Sequence, residues 1–342
     1  MKNSIKILVF VSFAALLASC TNSSENISGA GATFPAPFYN IVIKDYAAAT
    51  GDKISYGATG SGAGIRSLKD KTVDFGATDL FLSDMEMEEM GARIVHIPTC
   101  LGAVVMSYNL KGVENLKLNS SVVSQIYAGK ITNWNDVQIK QLNPEIALPD
   151  KAITPVYRSD GSGTTAVFSE YMDATDSLWH AKTGKGKSLN FSTGIAAKGN
   201  SGVAGVIAET EGSIGYIGSE YAFALNLAAA LFQNSSGKFI KADAKSISAA
   251  ANRDMPDDTR ISIVNAPDSN AYPISTFTWI ITYKNQNYNA RTEEHAQSLK
   301  RFLNYIISAK GQAAAEKTFF APIPPAVIEK ARAAVESIEY GD

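Results

Sequence analysis

The sequence predicts an α/β fold, because short β-type segments alternate along the chain with amphipathic segments that have helical spacing. The strand candidates are bounded by turn residues and are rich in β-branched and aromatic side chains. They are residues 53–56, 94–98, 102–109, 153–158 and 275–283. The helix candidates are residues 37–49, 64–71, 164–172, 203–211, 293–309 and 325–338. We find no internal repeat that would indicate a solenoid.

The first nineteen residues have the features of an export signal. Two lysines precede an apolar run, residues 7–18, that is too short to span a membrane. The run ends in Leu-Ala-Ser-Cys, which resembles a bacterial lipobox, so we predict cleavage before Cys20 and lipid attachment to it. An ordinary secretory signal followed by an incidental cysteine is the alternative. Residues 21–26 are polar and predict a tether.

Composition narrows the class of protein. The chain has 342 residues, of which 45% are hydrophobic, and this length suits two domains with their own cores. Removing the first nineteen residues, with two lysines and no acidic residue, would change the formal net charge from −2 to −4. The absence of a basic stripe argues against nucleic-acid binding. With Cys20 lipidated only Cys100 remains, so no intramolecular disulfide is expected.

Polar turns that contain glycine stand immediately before three of the helical patterns. Such a turn exposes backbone N–H groups and the positive end of a helix dipole, an arrangement that binds anions. The first turn spans residues 29–35, where Thr33 can cap the helix. The second spans residues 60–64, where Ser61 is the natural donor. Its spacing fits neither a Walker A loop nor a dinucleotide-binding fingerprint, so nucleotide binding is disfavoured.

The third turn, residues 158–165, adds a guanidinium group. Arg158 stands there beside hydroxyl groups and backbone N–H groups at a helix start, which suits a tetrahedral oxyanion. Each turn alone is more often a simple helix cap, because Gly-Ser-Gly turns are common. The combination of all three therefore carries more weight than any one of them.

Four segments together resemble the signatures of the periplasmic phosphate-binding proteins of high-affinity phosphate importers. They are Gly-Ala-Gly-Ala-Thr-Phe-Pro-Ala-Pro at 29–37, Val-Asp-Phe-Gly-Ala-Thr-Asp at 73–79, Ile-Tyr-Ala-Gly-Lys-Ile-Thr-Asn-Trp at 126–134 and Arg-Ser-Asp-Gly-Ser-Gly-Thr-Thr at 158–165. Their order and spacing also match that family. The similarity extends from about Ile27 to about Ile338 and is weakest between residues 234 and 268.

The resemblance implies a two-lobed periplasmic-binding-protein fold of type II, whose lobes are joined by two crossing strands and close over phosphate. Lobe I would comprise residues 27–101 and 272–342 and lobe II residues 102–271, after a signal peptide (1–19) and a tether (20–26). The implied phosphate ligands are Thr33, Phe34, Ser61, Asp79, Arg158, Ser162, Gly163 and Thr164, with Phe34 and Gly163 acting through their N–H groups. Asp160 would orient Arg158 through an ion pair.

The same resemblance implies delivery of phosphate to the permease and ATPase subunits of an ABC importer. We expect a monomer that contacts the membrane through its lipid anchor and has no cofactor. One departure from the family lies at residues 61–64, where close relatives often have Ser-Ser-Gly-Gly and this chain has Ser-Gly-Ala-Gly. The contact of a second serine hydroxyl with the ligand is therefore in doubt, whereas backbone contacts are retained.

Asp79 is implied as the residue that distinguishes phosphate from sulfate. Phosphate near neutral pH carries at least one P–OH group, which can donate a hydrogen bond to a carboxylate. Fully ionised sulfate has no proton to donate, and its oxygen would face the unprotonated carboxylate at a cost on the order of 2 to 5 kcal/mol. The alternative interpretation is that Asp79 caps the turn before Ser83.

A hydrolase is the main alternative from another class, since Ser61 and Ser162 lie on glycine-flanked turns. Neither serine lies in a Gly-x-Ser-x-Gly sequence. The three histidines, His96, His180 and His295, are predicted to be structural, with His295 exposed on a charged helix face. No histidine or cysteine spacing suits a metal. We therefore expect a binding protein and not an enzyme, with a phosphate sensor or adhesive surface protein as second alternatives.

Overall fold

The structure, a computed structural model, describes residues 26–341, so the predicted signal peptide and Cys20 lie outside the described residues. The strands are β1 (Asn26–Gly31), β2 (Lys53–Gly57), β3 (Phe75–Thr78), β4 (Ile94–Tyr108), β5 (Lys117–Leu118), β6 (Thr154–Arg158), β7 (Ile195–Ala197), β8 (Ser213–Gly218), β9 (Ala228–Ala229), β10 (Leu231–Gln233), β11 (Phe239–Ile240) and β12 (Ser275–Tyr283). The helices are α1 (Ala36–Thr50), α2 (Ser61–Lys69), α3 (Asp84–Glu89), α4 (Ser120–Tyr127), α5 (Val137–Leu142), α6 (Gly163–Thr175), α7 (Ser177–Lys182), α8 (Gly199–Glu209), α9 (Ser219–Ala224), α10 (Ala244–Ala250), α11 (Glu293–Ile306), α12 (Ala309–Lys317) and α13 (Pro325–Glu336).

Nine strands form one sheet in the order β2-β1-β3-β12-β4-β8-β6-β7, with β9 also paired to β4. Strands β1, β2 and β3 are mutually parallel, and β12 runs antiparallel to β3 and to β4. On the other side β8 is antiparallel to β4, while β6 is parallel to both β8 and β7. Helices pack on this sheet, so the predicted α/β fold is confirmed.

Strand β4 belongs to both lobes of the fold. Its first part, Ile94 to Ala103, pairs with β12 of lobe I, and from Val104 onward it pairs with β8 of lobe II. The N–H of Val104 donates to the carbonyl of Ile274 at 2.8 Å, just before the chain re-enters lobe I as β12. These two passages lie where the lobe crossings are predicted, and the numbered lobe boundaries stay a prediction.

The prediction of two separate strands, 94–98 and 102–109, was wrong, because β4 is continuous. Pro98 cannot donate a hydrogen bond to the strand ladder. The register between β4 and β12 shifts at Thr278 and Trp279, directly opposite Pro98 and Cys100. This irregularity accommodates the missing N–H group without ending the strand.

The helix predicted at 293–309 is two helices in the structure. Helix α11 ends at Ile306, and Ser308 caps α12 by accepting a hydrogen bond from the N–H of Gly311 at 3.3 Å. A serine cap inside an otherwise continuous helical pattern is thus the physical reason for the break. Within residues 26–341 no helix is both long and apolar enough to cross a bilayer.

The three histidines have structural partners. His96 is buried on β4 and its Nε2 accepts a hydrogen bond from the N–H of Leu82 at 3.1 Å. His180 is exposed, with its Nδ1 2.9 Å from the carboxylate of Asp173. The expectation that His295 is exposed was wrong, because its side chain is only 16% exposed and Nε2 lies 2.7 Å from buried Asp74. This contact joins α11 to the segment before β3.

Candidate functional site

The residues predicted to bind the ligand come together between the two lobes. Strands β1 and β3 of lobe I and strand β6 of lobe II all end at this cleft, which is where parallel α/β sheets bind ligands. Lobe I contributes Thr33, Phe34, Ser61 and Asp79, and lobe II contributes Arg158, Ser162, Gly163 and Thr164. All of them are buried.

Hydrogen bonds connect the two sides of the cleft directly. The N–H of Gly163 donates to Ser61 Oγ at 3.0 Å, and Thr164 Oγ1 donates to Asp79 Oδ2 at 3.2 Å. A side chain at position 163 would not fit, since an added Cβ would lie 2.6 Å from Ser61 Oγ. The lobes are therefore closed on each other, and Gly163 is required for this approach.

Arg158, the last residue of β6, and Asp160 form a bidentate ion pair at the cleft. Arg158 Nε donates to Asp160 Oδ1 at 2.8 Å and Nη2 donates to Oδ2 at 2.6 Å. Burial raises the pKa of Asp160, but hydrogen bonding and charge from Arg158 and the N–H of Gly199 outweigh it and lower the pKa below its ordinary value. The remaining Nη1 of Arg158 is buried without a hydrogen-bond partner in residues 26–341. This arrangement fixes a guanidinium with one donor group free for an anion.

The Asp79 carboxylate accepts hydrogen bonds from both lobes. Thr278 Oγ1 donates to its Oδ1 at 3.0 Å, opposite the bond from Thr164. Burial raises the pKa of Asp79 to about 7, against the opposing effects of Thr278, Arg158 and Thr164. The residue that caps α3 is Ser83 itself, which accepts from the N–H of Glu86. The carboxyl group of Asp79 therefore changes its protonation near neutral pH and does not act as the cap of that turn.

Ser162 takes part in two hydrogen bonds, one through its hydroxyl group and one through its backbone N–H. Its Oγ caps α6 by accepting a hydrogen bond from the N–H of Thr165 at 3.0 Å, so part of the ordinary cap interpretation is correct. Its N–H donates to the carbonyl of Lys187 at 2.8 Å. A capping serine can still donate its hydroxyl proton to a ligand, since a hydroxyl both donates and accepts.

The sequence analysis missed Asn200, which is fully buried at the start of α8. Its Nδ2 donates to Thr33 Oγ1 at 3.0 Å and to Thr164 Oγ1 at 3.1 Å, and its backbone N–H also donates to Thr33 Oγ1. Asn200 thereby joins the two lobes at the cleft. The signal was present, because Gly-Asn-Ser-Gly at 199–202 is a fourth polar turn before a helical pattern.

Two further contacts were also absent from the prediction. Tyr221 OH in lobe II donates to the carbonyl of Thr33 in lobe I at 2.6 Å. Thr276 Oγ1 donates to the carbonyl of Asp79 at 2.8 Å. Both hydrogen bonds hold main-chain atoms of residues predicted to bind the ligand. In the described part of the chain, no group of three or more His, Cys, Asp or Glu residues could hold a metal ion.

Comparisons with known proteins agree with this architecture. A family model described as a PBP superfamily domain matches residues 18–310. The phosphate-binding protein PstS of Xylella fastidiosa is 37% identical over 317 residues, covering 91% of this chain and 85% of the relative. The phosphate-binding protein PstS of Methanocaldococcus jannaschii is 35% identical over 300 residues, covering 81% of this chain and 77% of the relative.

Solved structures share the fold at lower sequence identity. A phosphate-binding protein from Stenotrophomonas maltophilia superposes with a TM-score of 0.71 at 20% identity, covering 90% of this chain and 93% of the other. A phosphate ABC transporter substrate-binding protein from Clostridium perfringens, solved with bound phosphate, gives a TM-score of 0.65 at 20% identity, covering 88% of this chain and all of the other.

The fold and the closed cleft together define a two-lobed substrate-binding protein of the type II periplasmic-binding-protein class. The sequence relationships are more specific, since they extend over most of the chain. The chain belongs to the PstS family of phosphate-binding proteins within the PBP superfamily.

Proposed function

We propose that this protein binds inorganic phosphate outside the cytoplasm and delivers it to an ABC-type phosphate importer. The observation that carries the proposal is the pairing of a fixed guanidinium, Arg158, with a buried carboxyl, Asp79, in one closed cleft. An anion needs the first of these, and only an anion that carries a proton tolerates the second. Phosphate near neutral pH satisfies both conditions.

The proposed ligand shell is the one that the sequence indicates. It consists of the hydroxyl groups of Thr33, Ser61, Ser162 and Thr164, the N–H groups of Phe34 and Gly163, the Asp79 carboxyl and the Arg158 guanidinium. Some of these groups now bond to each other across the cleft, as Ser61 does to Gly163. Bound phosphate would take over such bonds. Because the charge is matched by local donors, affinity should depend weakly on salt.

We infer that the lobes open and close by bending at β4 and at the return crossing before β12. Two contacts near the cleft would break on opening. Lys187 Nζ of lobe II lies 2.5 Å from Glu86 Oε1 of lobe I, and Tyr221 bonds to Thr33. Each protein–protein hydrogen bond contributes about 1 kcal/mol net, so closure can be reversible while still excluding water.

The hydrolase alternative has no support from the geometry. Within residues 26–341, neither Ser61 nor Ser162 forms a hydrogen bond with a histidine, and the histidines are engaged with Leu82, Asp173 and Asp74. A serine nucleophile requires such a base within hydrogen-bond reach. The PstS family to which the chain belongs consists of binding proteins.

Titration calorimetry of protein stripped of bound anion tests the proposal. We expect phosphate and arsenate to bind, and sulfate to bind about a hundredfold more weakly at about pH 8.5. The pKa of Asp79 is about 7, so the carboxyl is protonated at lower pH and can then donate to sulfate. Discrimination against sulfate should therefore decrease as the pH falls through 7.

Equal affinity for sulfate and phosphate at the higher pH would show that the role given to Asp79 is wrong. Absence of phosphate binding at both pH values would refute the proposed function itself. A phosphate ester added to the same protein should not be turned over. Hydrolysis of the ester at a rate proportional to the protein concentration and sensitive to an inhibitor would support the hydrolase alternative.

We also propose that Cys20 carries a lipid that anchors the mature protein to a membrane as a monomer. The support is the Leu-Ala-Ser-Cys sequence that follows the apolar run of the signal peptide. Intact-mass analysis of the mature N-terminus tests this, because a diacylglycerol on Cys20 adds a defined mass. A mature chain that begins elsewhere would exclude the anchor.

A further inference from the structure

Successive peptide groups of the first ligand turn are held by hydrogen bonds to different elements of the fold. The N–H of Ala32 donates to the carbonyl of Ala77 in β3 at 2.9 Å, and Tyr56 OH of β2 donates to the carbonyl of Ala32 at 2.6 Å. Tyr221 OH of α9 donates to the carbonyl of Thr33 at 2.6 Å. The first two bonds lie within lobe I, and the bond from Tyr221 comes from lobe II.

The peptide group that Tyr221 holds is the one that carries a proposed ligand donor. The carbonyl of Thr33 and the N–H of Phe34 belong to this peptide group, which is trans and planar. The N–H therefore points to the side opposite the carbonyl, away from Tyr221. Phe34 is fully buried, yet no backbone carbonyl of residues 26–341 accepts a hydrogen bond from its N–H. The bond from Tyr221 thus fixes the direction of a buried donor that no carbonyl occupies.

Tyr221 makes a short hydrogen bond to this carbonyl and keeps its proton to do so. The carbonyl of Thr33 also accepts from the N–H of Ala36, at the longer distance of 3.3 Å. Burial and the neighbouring carboxyl of Glu220 raise the pKa of Tyr221, against an opposing effect of Arg158, so the hydroxyl stays protonated near neutral pH. A hydrogen bond accepted by a carbonyl polarises the amide, which strengthens the N–H of the same peptide group as a donor.

Lobe II holds Thr33 by its side chain as well as by its carbonyl. The backbone N–H and the Nδ2 of Asn200 donate to Thr33 Oγ1 at 3.1 Å and 3.0 Å. Helix α9, which carries Tyr221, packs on β8 and β4, and β8 pairs with the part of β4 that belongs to lobe II. Both holds on Thr33 therefore form when the lobes meet and break when they part, whereas the bond from Tyr56 stays in either state.

We propose that Tyr221 is a positioning residue for phosphate, one that fixes the Thr33–Phe34 peptide group on lobe closure so that the Phe34 N–H binds the anion more strongly. Tyr221 acts through this peptide group and does not contact the anion itself. The first ligand turn then reaches its full strength only in the closed protein, which couples retention of the anion to closure. This inference rests on the proposed function and deepens it.

The first test is the binding kinetics of the Tyr221→Phe variant, which loses the hydroxyl group and keeps the ring. We expect it to bind inorganic phosphate about fivefold to tenfold more weakly, because one buried hydrogen bond of the closed state is lost. The loss should appear as faster dissociation, with the association rate changed by less than about twofold, since the bond forms only after the anion has entered. Calorimetry and stopped-flow mixing of the mature protein, stripped of bound anion, measure these quantities.

Nuclear magnetic resonance provides a second readout, which a purely structural role would not change. Labels on the carbonyl carbon of threonine and the amide nitrogen of phenylalanine select Thr-Phe pairs, of which the sequence has three, at 33–34, 276–277 and 318–319. The signal that disappears in Thr33→Ser belongs to the first pair. When phosphate saturates the wild type, we expect the Thr33 carbonyl carbon and the Phe34 amide proton to shift to higher frequency. In Tyr221→Phe the carbonyl shift should be lost and the amide shift reduced.

Tyr171→Phe is the matched control for both readouts. Tyr171 OH also donates to a backbone carbonyl, that of Gln233 at 2.9 Å, but both residues lie in lobe II and outside the ligand turns. This variant should keep the wild-type rates and the wild-type signals of the Thr33–Phe34 pair. Wild-type affinity in Tyr221→Phe would overturn the proposal, and so would a loss carried by the association rate alone.

These outcomes are distinguishable from failure of the proposed function. If the wild-type protein does not bind phosphate, the proposed function is wrong and this inference falls with it. If the wild type binds phosphate and Tyr221→Phe has the same rates and the same signals, only the role of Tyr221 is wrong. A lower melting temperature of Tyr221→Phe without a change in the Thr33–Phe34 signals indicates a structural role and also counts against the proposal.

Discussion

Replacing Asp79 with asparagine is expected to raise the affinity for sulfate by about a hundredfold, because it removes a penalty on the order of 2 to 5 kcal/mol. The carboxamide has nearly the same shape, cannot carry a negative charge, and offers an N–H donor where the carboxylate offered only acceptors. Phosphate should lose affinity by about tenfold, since its P–OH group loses a charged acceptor. Calorimetry measures both affinities, and the ratio of phosphate affinity to sulfate affinity decides whether Asp79 is the source of the discrimination.

Asp258→Asn is the control for this variant. Asp258 is exposed and pairs with Arg260 far along the chain from the cleft turns, so its loss should leave both affinities unchanged. If Asp79→Asn rejects sulfate as strongly as the wild type does at about pH 8.5, the discrimination has another source.

The same variant should remove a pH dependence of folding. The pKa of Asp79 is about 7 in the folded protein, whereas an aspartate in an unfolded chain has a pKa of about 3.9. The carboxyl therefore favours folding while it is protonated, and this contribution is lost as the pH rises through 7. The full contribution is on the order of 4 kcal/mol and is complete only below the unfolded pKa, so about 3 kcal/mol of it is lost between pH 5 and about 8.5. Urea unfolding of anion-free protein between pH 5 and about 8.5 should show the decline in the wild type and less of it in Asp79→Asn.

Replacing Arg158 with alanine is expected to weaken every oxyanion, by about a hundredfold or more for phosphate. The variant loses the free Nη1 donor and also leaves Asp160 without its partner close to the anion. Calorimetry with phosphate and arsenate measures the loss. Arg158→Lys should be intermediate, because lysine keeps the charge but cannot form the two-pronged pair with Asp160.

Arg253→Ala is the matched control, since Arg253 is exposed and its guanidinium donates to the carbonyl of Ser262. Circular dichroism of each variant establishes that it is folded before the affinities are compared. Unchanged phosphate binding in a folded Arg158→Ala variant would remove the third turn, residues 158–165, from the site.

The sequence predicted the fold class because alternating strand and helix patterns depend on local side-chain periodicity. It did not predict that β4 is continuous, because the irregularity opposite Pro98 is set by the neighbouring strand β12. The prediction that His295 is exposed was wrong for a similar reason. Its helix face is locally charged, but Asp74, 221 residues away along the chain, pairs with it.

In the candidate site too, the sequence predicted the residues that have a local signal and missed those that depend on contacts between distant segments. Turns such as residues 60–64 were found because glycine and serine before a helix are a local signal. Thr278 was missed because it lies inside a strand and meets Asp79 only through the antiparallel pairing of β12 with β3. Asn200 could have been found, since its turn follows the same pattern as the other three.

At one point beside the cleft, the two lobes contact each other through backbone atoms only. The N–H of Gly62 donates to the carbonyl of Gly161 at 2.9 Å, and a Cβ on Gly62 would lie 3.2 Å from the α-carbon of Gly161. With no side chain there to swing aside, a ligand that carried an alkyl or sugar substituent through this point would force the lobes apart. The glycine in place of a second serine at position 62 thus permits a main-chain contact between the lobes that a side chain at this position would crowd.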